Sequence, residues 1–278
     1  LSLGRTIMDL QIVFCLALLG SCTGFLAGLL GIGGGMVLTP FLTMLLAHAG
    51  IPPEHIVHCA IATSMGTILF TSLSSVRAHA SRGAVLWKVV ASMAPGILVG
   101  ALIGAQISGA LSTFWVALFF SIFVYTSATK MFIGSKTVAT RTLPGAGGMF
   151  GAGTVIGVIS SLVGAGGGFI SVPFMTYCNV RMHNAIGTSA ALGFPIAFAG
   201  TIGYIISGWG NPALPGWPYT LGFIHVPALL SVAVMSILTA PIGAKVAHSI
   251  DTKPLKRIFG SVLFVLATYM LWKAVSAF

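Results

Sequence analysis

One glycine-rich break occurs twice in this chain, and it constrains the fold more than any other feature. Gly24-Phe-Leu-Ala-Gly-Leu-Leu-Gly-Ile-Gly-Gly-Gly-Met-Val-Leu-Thr-Pro40-Phe41 is matched by Gly157-Val-Ile-Ser-Ser-Leu-Val-Gly-Ala-Gly-Gly-Gly-Phe-Ile-Ser-Val-Pro173-Phe174 at an offset of 133 residues. Two more landmarks follow in the same order. Ala60-Ile-Ala-Thr-Ser64 matches Ala185-Ile-Gly-Thr-Ser189, and Ile103-Gly-Ala-Gln106 matches Ile242-Gly-Ala-Lys245. Ordered landmarks of this kind mark a duplication. The two units are 1–140 and 141–278, divided in the polar, then Gly- and Pro-bearing stretch from Lys136 to Gly148.

What surrounds the breaks is apolar. Hydrophobic residues make up 56% of the 278 and charged residues only 6%, against about 25% charged in soluble domains. Such a chain cannot cover a water-facing surface, so it reads as an all-α membrane protein. The only carboxylates are Asp9, Glu54 and Asp251. That inventory excludes a two-carboxylate hydrolase, a carboxylate metal site and a buried acidic proton relay. Neither HExxH nor GxSxG occurs, and no spacing supports a serine–histidine dyad on Ser64 or Ser189. The reading is therefore not an enzyme, with no cofactor and no metal. Cys15, Cys22, Cys59 and Cys178 lack CxxC spacing and read as small core hydrophobes. The net charge of +10 points to orientation in a bilayer rather than to nucleic acid.

Each unit repeats one hydrophobic layout. Apolar segments lie at about 10–30, 36–48, 57–76, 86–106 and 113–133, then at about 149–164, 169–179, 184–207, 220–246 and 255–275. Three per unit are expected to span as long helices. The pair flanking each glycine cluster is either a re-entrant hairpin or two short crossings. Its second member, Pro40 to His48, has nine residues and rises about 13 Å as a helix. Both options give an odd number of crossings per unit, which inverts the second unit relative to the first. Charge gives the same topology. With the Arg77/Arg82/Lys88 loop in the cytoplasm, eleven of the thirteen Lys and Arg fall inside, leaving Arg5 and Lys273 outside. Both termini are then extracytoplasmic. Trp209, Trp217 and Tyr219 in an outward loop suit an interfacial aromatic belt.

An inverted repeat with interrupted helices at matching places points to a transporter site at the interruptions. Non-helical backbone at membrane depth survives only where protein or water satisfies it. The candidate residues are Gly33, Gly34 and Gly35 with Gly166, Gly167 and Gly168. Thr39 before Pro40 is expected as the N-cap of a short helix, and Ser171 with Pro173 takes the similar place in the second unit. Helix N-termini present free N–H groups and a positive dipole end, which suit an anion. Thr63, Ser64, Thr188 and Ser189 add hydroxyls for an oxyanion, although hydroxyls in helices also bond back to their own carbonyls. His58 and Asn184 lie just upstream of these pairs. Gly20, Gly24 and Gly28 have the small-xxx-small spacing of close helix packing.

These residues carry a resemblance. Gly28-Leu-Leu-Gly-Ile-Gly-Gly-Gly35, Ser161-Leu-Val-Gly-Ala-Gly-Gly-Gly168, the Ala-Thr-Ser and Gly-Thr-Ser elements, and the stretch Leu221-Gly-Phe-Ile through Ala240-Pro-Ile-Gly-Ala-Lys245 to Leu255-Lys-Arg-Ile-Phe259 resemble the sulfite exporter TauE/SafE family. The resemblance covers nearly the whole chain. It implies an inner-membrane permease, an exporter in function, for sulfite, sulfoacetate or related organosulfonates. Without it, the residues alone indicate an inverted-repeat anion permease; the alternatives are a permease for another small anion and an anion channel. The expected partners are that small sulfur oxyanion or sulfonate and the lipid bilayer, with no nucleic acid; a homodimer is compatible with the reading.

Overall fold

The computed structural model describes residues 10–31, 33–48, 51–133, 141–209, 219–247, 249 and 253–276. Arg5, Asp9, Lys136, Trp217 and Asp251 of the topology and charge expectations lie outside the described residues, as does Ile32 of the first break. Ten helices occur among the described residues. The first five are α1 (Leu10–Leu30), α2 (Gly35–His48), α3 (Ile56–Ala80), α4 (Trp87–Ala110) and α5 (Thr113–Ile133). The second five are α6 (Ala146–Val163), α7 (Gly168–Tyr177), α8 (Met182–Gly208), α9 (Val226–Ala247) and α10 (Lys253–Ser276). A two-residue antiparallel pair, β1 (Thr220–Leu221) and β2 (Ile224–His225), precedes α9.

Eight of these helices are long and apolar enough to cross a membrane. The chain is an all-α membrane protein. Each half carries four helices of spanning length rather than the three expected, because the first arm of each break is full-size. That arm is α1, with 21 residues, and α6, with 18. Only the second arm is short, at 14 residues in α2 and 10 in α7.

The glycines expected at a packing face are there. A Cβ on Gly20 would lie 2.5 Å from the Val232 carbonyl oxygen, and one on Gly28 would lie 1.9 Å from that of Ala240. Gly24 meets Ser236 in the same way. These contacts advance together along α1 and α9, so the two helices run in the same direction. α6 and α4 pack in the same way, where Gly96, Gly100 and Gly104 meet Phe150, Thr154 and Val158. α3 and α8 are the most buried of the spanning helices. They run in opposite directions, since Met65 faces Gly200 and Ser72 faces Gly193. α3 runs with α9, tied by Thr71 to Ser236 at 2.8 Å. α8 runs with α4, tied by the Gln106 amide to the Gly203 carbonyl at 3.0 Å. α5 and α10 pair antiparallel at the outside, where Tyr125 meets Thr268 at 2.7 Å. Trp209 and Tyr219 are exposed.

Candidate functional site

The two breaks meet. After α1, positive φ at Gly31, Gly33 and Gly34 turns the chain back on itself. A Cβ on Gly34 would stand 2.6 Å from the Thr23 carbonyl oxygen, so the return is pressed against the helix just left. The second break turns at Gly164 and Gly167. A Cβ on Gly33 would be 2.7 Å from the Gly166 Cα, and one on Gly35 would be 1.8 Å from the Gly164 oxygen. The backbones therefore cross in direct contact, and side chains larger than hydrogen at these points would separate them.

The capping expectation needs correction. α2 begins at Gly35 and α7 at Gly168. Thr39 and Pro40, like Ser171 and Pro173, lie inside those helices rather than at their starts. The reversal at the glycines lets each helix begin several residues earlier, and Gly167 itself occupies the N-cap of α7 at φ 78°. Val37 and Leu38 donate to the Gly34 carbonyl, and Ile170 and Ser171 donate to that of Gly167. The N–H groups of the first turn precede these, and they have no partner within the helix. At the offset of 133, Thr39 corresponds to Val172 and Ser171 to Leu38, so the two hydroxyls are not counterparts. Pro40 and Pro173 are counterparts, and each removes a helical donor to the carbonyl four residues back.

The paired hydroxyls form a set of reciprocal ties between the halves. The Ser64 Oγ–H donates to the Gly164 carbonyl at 3.0 Å, and the Ser189 Oγ–H donates to the Gly31 carbonyl at 2.9 Å. Each serine thus holds the break of the other half. Ser171 donates to the Ser189 oxygen at 2.8 Å. Thr63 Oγ1 accepts from the His225 backbone N–H, and Thr188 Oγ1 accepts from that of Leu86, both at 3.0 Å. Leu86 and His225 are separated by 139 residues, the same offset as Ile103 and Ile242. The back-bonding alternative fails for these four hydroxyls, although Thr67 and Thr71 do bond to their own helix.

A second reciprocal pair escaped the sequence reading. The His79 Nε2–H donates to the Gly28 carbonyl at 3.0 Å, and the Tyr204 hydroxyl donates to that of Ser161, also at 3.0 Å. Both bonds secure the last turn before a break. The signal lay in the offsets: His79 and Tyr204 are separated by 125 residues, as are Ser64 and Ser189. Their different chemistry hid the correspondence.

A cavity of about 10 Å³ lies where the breaks meet, lined by Gly31, Gly33, Gly166 and Ser189. Thr71, Ser72 and Ser75 complete its polar wall, and none of the three stood out in the sequence. The Ser75 hydroxyl is buried and has no hydrogen-bond partner among the described residues; the Thr39 hydroxyl shares that condition beside Gly164. A volume near 10 Å³ admits about one water-sized sphere. The centre is closed, with no room for a group larger than water.

His58 and Asn184 do not join this centre. His58 Nε2 donates to the Ser108 and Leu111 carbonyls at 3.0 and 3.1 Å, and its ring stacks on Phe223. It faces a separate pocket of about 540 Å³ with Glu54, His55 and Thr113 at the start of α3. Asn184 Nδ2 donates to the Ala84 carbonyl at 3.3 Å at the start of α8. Because α3 and α8 run in opposite directions, the two residues sit at opposite ends of the bundle. They tether loops. The described residues contain no group of three or more His, Cys, Asp or Glu that could hold a metal.

His225 is a structural participant that was not anticipated. Its Nδ1 accepts the Ala228 N–H at 3.2 Å and so caps α9. Burial holds its pKa below the ordinary histidine value. The folded chain therefore favours neutral imidazole, while the unfolded chain takes up a proton near pH 6.5. This contribution to stability is complete above that pH and is lost as pH falls through the lower folded value. Thermal unfolding in detergent is expected at lower temperature at pH 5 than at pH 8, and His225→Asn, a cap that does not titrate, is expected to reduce the difference.

Comparison with known proteins agrees with this architecture. The family model for sulfite exporter TauE/SafE matches residues 16–270. A protein of Haemophilus influenzae named "Probable membrane transporter protein" is 37% identical over 264 residues, covering 94% of this chain and 98% of that one. Relatives of the same general name in Methanocaldococcus jannaschii and Bacillus subtilis are 27% and 26% identical, covering 92% and 84% of this chain and 94% and 89% of their own lengths. No solved structure is a significant match. With a match across nearly its whole length and a helical bundle built for the bilayer, the chain belongs to the sulfite exporter TauE/SafE family of membrane transporters, and it is not an enzyme.

Proposed function

We propose that this transporter exports small sulfur-containing anions, sulfite or an organosulfonate, by alternating access around the two crossed glycine breaks. The observation that carries the reading is the contact of Gly33 with Gly166 and of Gly35 with the Gly164 carbonyl, locked by Ser64 and Ser189. The two halves, 1–140 and 141–278, form an inverted repeat across the inner membrane. The opposite courses of α3 and α8, and the matched pairs α1 with α9 and α6 with α4, support this inversion. The basic residues support the sidedness. Arg77, Lys130 and Lys245 close α3, α5 and α9, while Lys88, Arg181 and Arg257 stand at the starts of α4, α8 and α10. With those helix directions they gather at one end of the bundle, the cytoplasmic one. Both termini then face outward.

Sulfonate oxygens bind the first-turn N–H groups of α2 and α7, together with hydroxyls freed when the cross-ties open. The positive ends of two short helices bind one negative charge without a buried lysine. The membrane potential favours export, since 100 mV is worth about 2.3 kcal/mol per charge, roughly a fifty-fold gradient. The closed centre favours a carrier over a channel. A binding screen of sulfite, thiosulfate, sulfoacetate and taurine on the purified protein tests the substrate class. Saturable binding of at least one sulfur oxyanion, weakened in Ser189→Ala, is expected. Binding of none of the four, beside saturable binding of a carboxylate, would overturn it.

A further inference from the structure

An apolar groove of about 450 Å³ opens between α3 and α9 on the outside of the bundle. Phe70 and Leu73 form one wall, Ile237 and Pro241 the other, and Arg77 stands at one end. The proline explains the groove. Pro241 has no N–H, so the Ile237 carbonyl loses its helical donor, and the proline ring strains the turn. The Ser74 hydroxyl reaches across from α3 and donates to that carbonyl at 2.7 Å. Both helices are candidate membrane spans, so the groove faces lipid chains along most of its length.

The charge at its end is one-sided. Arg77 is exposed, three residues before the end of α3, which places it near the depth of the headgroups. Neither α3 nor α9 contains Asp or Glu. Lys245, one turn beyond Pro241, adds a second exposed cation on the same side of the bundle. The equivalent helix pair, α8 with α4, keeps apolar residues at Phe198 and Leu98 but lacks the serine, the arginine and the proline. At the repeat offsets of 125 and 139, Ser74 becomes Ala199, Arg77 becomes Ile202 and Pro241 becomes Leu102. A proline, a serine and an arginine that coincide in one copy only are not a by-product of the duplication.

We infer that this groove binds an anionic phospholipid, with an acyl chain along Phe70, Leu73 and Ile237 and the headgroup phosphate on the Arg77 guanidinium. The inference is independent of the transported substrate and requires only that α3 and α9 span the bilayer. Arginine binds phosphate through paired, charge-assisted hydrogen bonds, and one basic residue near an anionic lipid surface is worth about 1 kcal/mol, or about five-fold in occupancy.

Native mass spectrometry of the full chain in detergent, with equal amounts of dioleoyl phosphatidylglycerol and dioleoyl phosphatidylcholine, tests it. The wild type is expected to retain phosphatidylglycerol over phosphatidylcholine by about five-fold or more. Arg77→Gln is expected to bring the ratio near parity. Ile237→Trp fills the groove and is expected to lower retention of both lipids, which provides a second reading if Arg77→Gln folds poorly. Equal retention of the two lipids by the wild type, or an unchanged preference in Arg77→Gln, overturns the inference. So does a lipid-free dimer cross-linked through Leu73→Cys, which would give the groove to a second copy.

Discussion

Gly34→Leu and Gly167→Leu should each abolish transport while the protein still reaches the membrane. At φ 70° and 78°, a residue with a Cβ incurs about 1–2 kcal/mol for the left-handed conformation alone. Position 34 also drives the new Cβ to 2.6 Å from the Thr23 carbonyl oxygen, and position 167 drives it to 2.4 Å from the Ile196 side chain. Overpacking adds about 1–3 kcal/mol. The combined strain acts where the proposed alternating access moves the two halves past each other, so turnover in proteoliposomes should fall by about a hundred-fold or more, the equivalent of about 2.7 kcal/mol on a barrier. Gly151→Leu is the control. It lies on α6 with nothing within 4 Å of the added Cβ, and its transport should stay near wild type. Wild-type turnover in both break variants would remove the breaks from the mechanism.

The second large effect belongs to the crossed serines. Ser64 and Ser189 are fully buried, and each donates to a glycine carbonyl in the opposite half. Ser→Ala leaves that carbonyl buried without its donor, which costs about 1–3 kcal/mol. The double variant Ser64→Ala/Ser189→Ala should therefore unfold several degrees lower in detergent and lose about ten-fold or more in transport, because the closed centre loses both ties. Ser64→Thr and Ser189→Thr keep the hydroxyl and should retain more of both. Thr67→Ala removes only a bond within its own helix and should change little. If the double variant behaved like Thr67→Ala, the serines would be ordinary helix residues.

Much of this was legible in the residues. The glycine motifs at an offset of 133 located both breaks, and the small-residue spacing of Gly20, Gly24 and Gly28 located the face that meets α9. The hydroxyls at Thr63, Ser64, Thr188 and Ser189 were legible as candidates but not as partners. Periodicity reports which residues share a helix face, not which chain faces them, so the exchange of ties between halves needed the packed bundle. The caps were misplaced for a local reason. Pro40 and Pro173 suggested helix starts, but the left-handed glycines begin each helix before the proline. His58 and Asn184 were grouped with the centre by sequence proximity to the hydroxyl pairs. A turn or more of helix, and the opposite courses of α3 and α8, carry them to opposite ends of the bundle. Ser75 lacked any signal in the sequence, because a lone serine on a buried helix differs from its neighbours only in what the fold leaves it to bond.

The closed centre gives the transport reading its sharpest consequence. A cavity of about 10 Å³ cannot conduct a stream of anions, so on the proposed mechanism the binding site faces each side in turn. Counterflow of radiolabelled sulfite in proteoliposomes measures this directly. Vesicles loaded with unlabelled sulfite should transiently accumulate the label above its outside concentration, with a rate that saturates as outside sulfite rises, and Gly34→Leu should abolish the overshoot. Sulfite flux that rises linearly without overshoot, or a steady unsaturable anion current across a planar bilayer, would contradict alternating access at the glycine breaks.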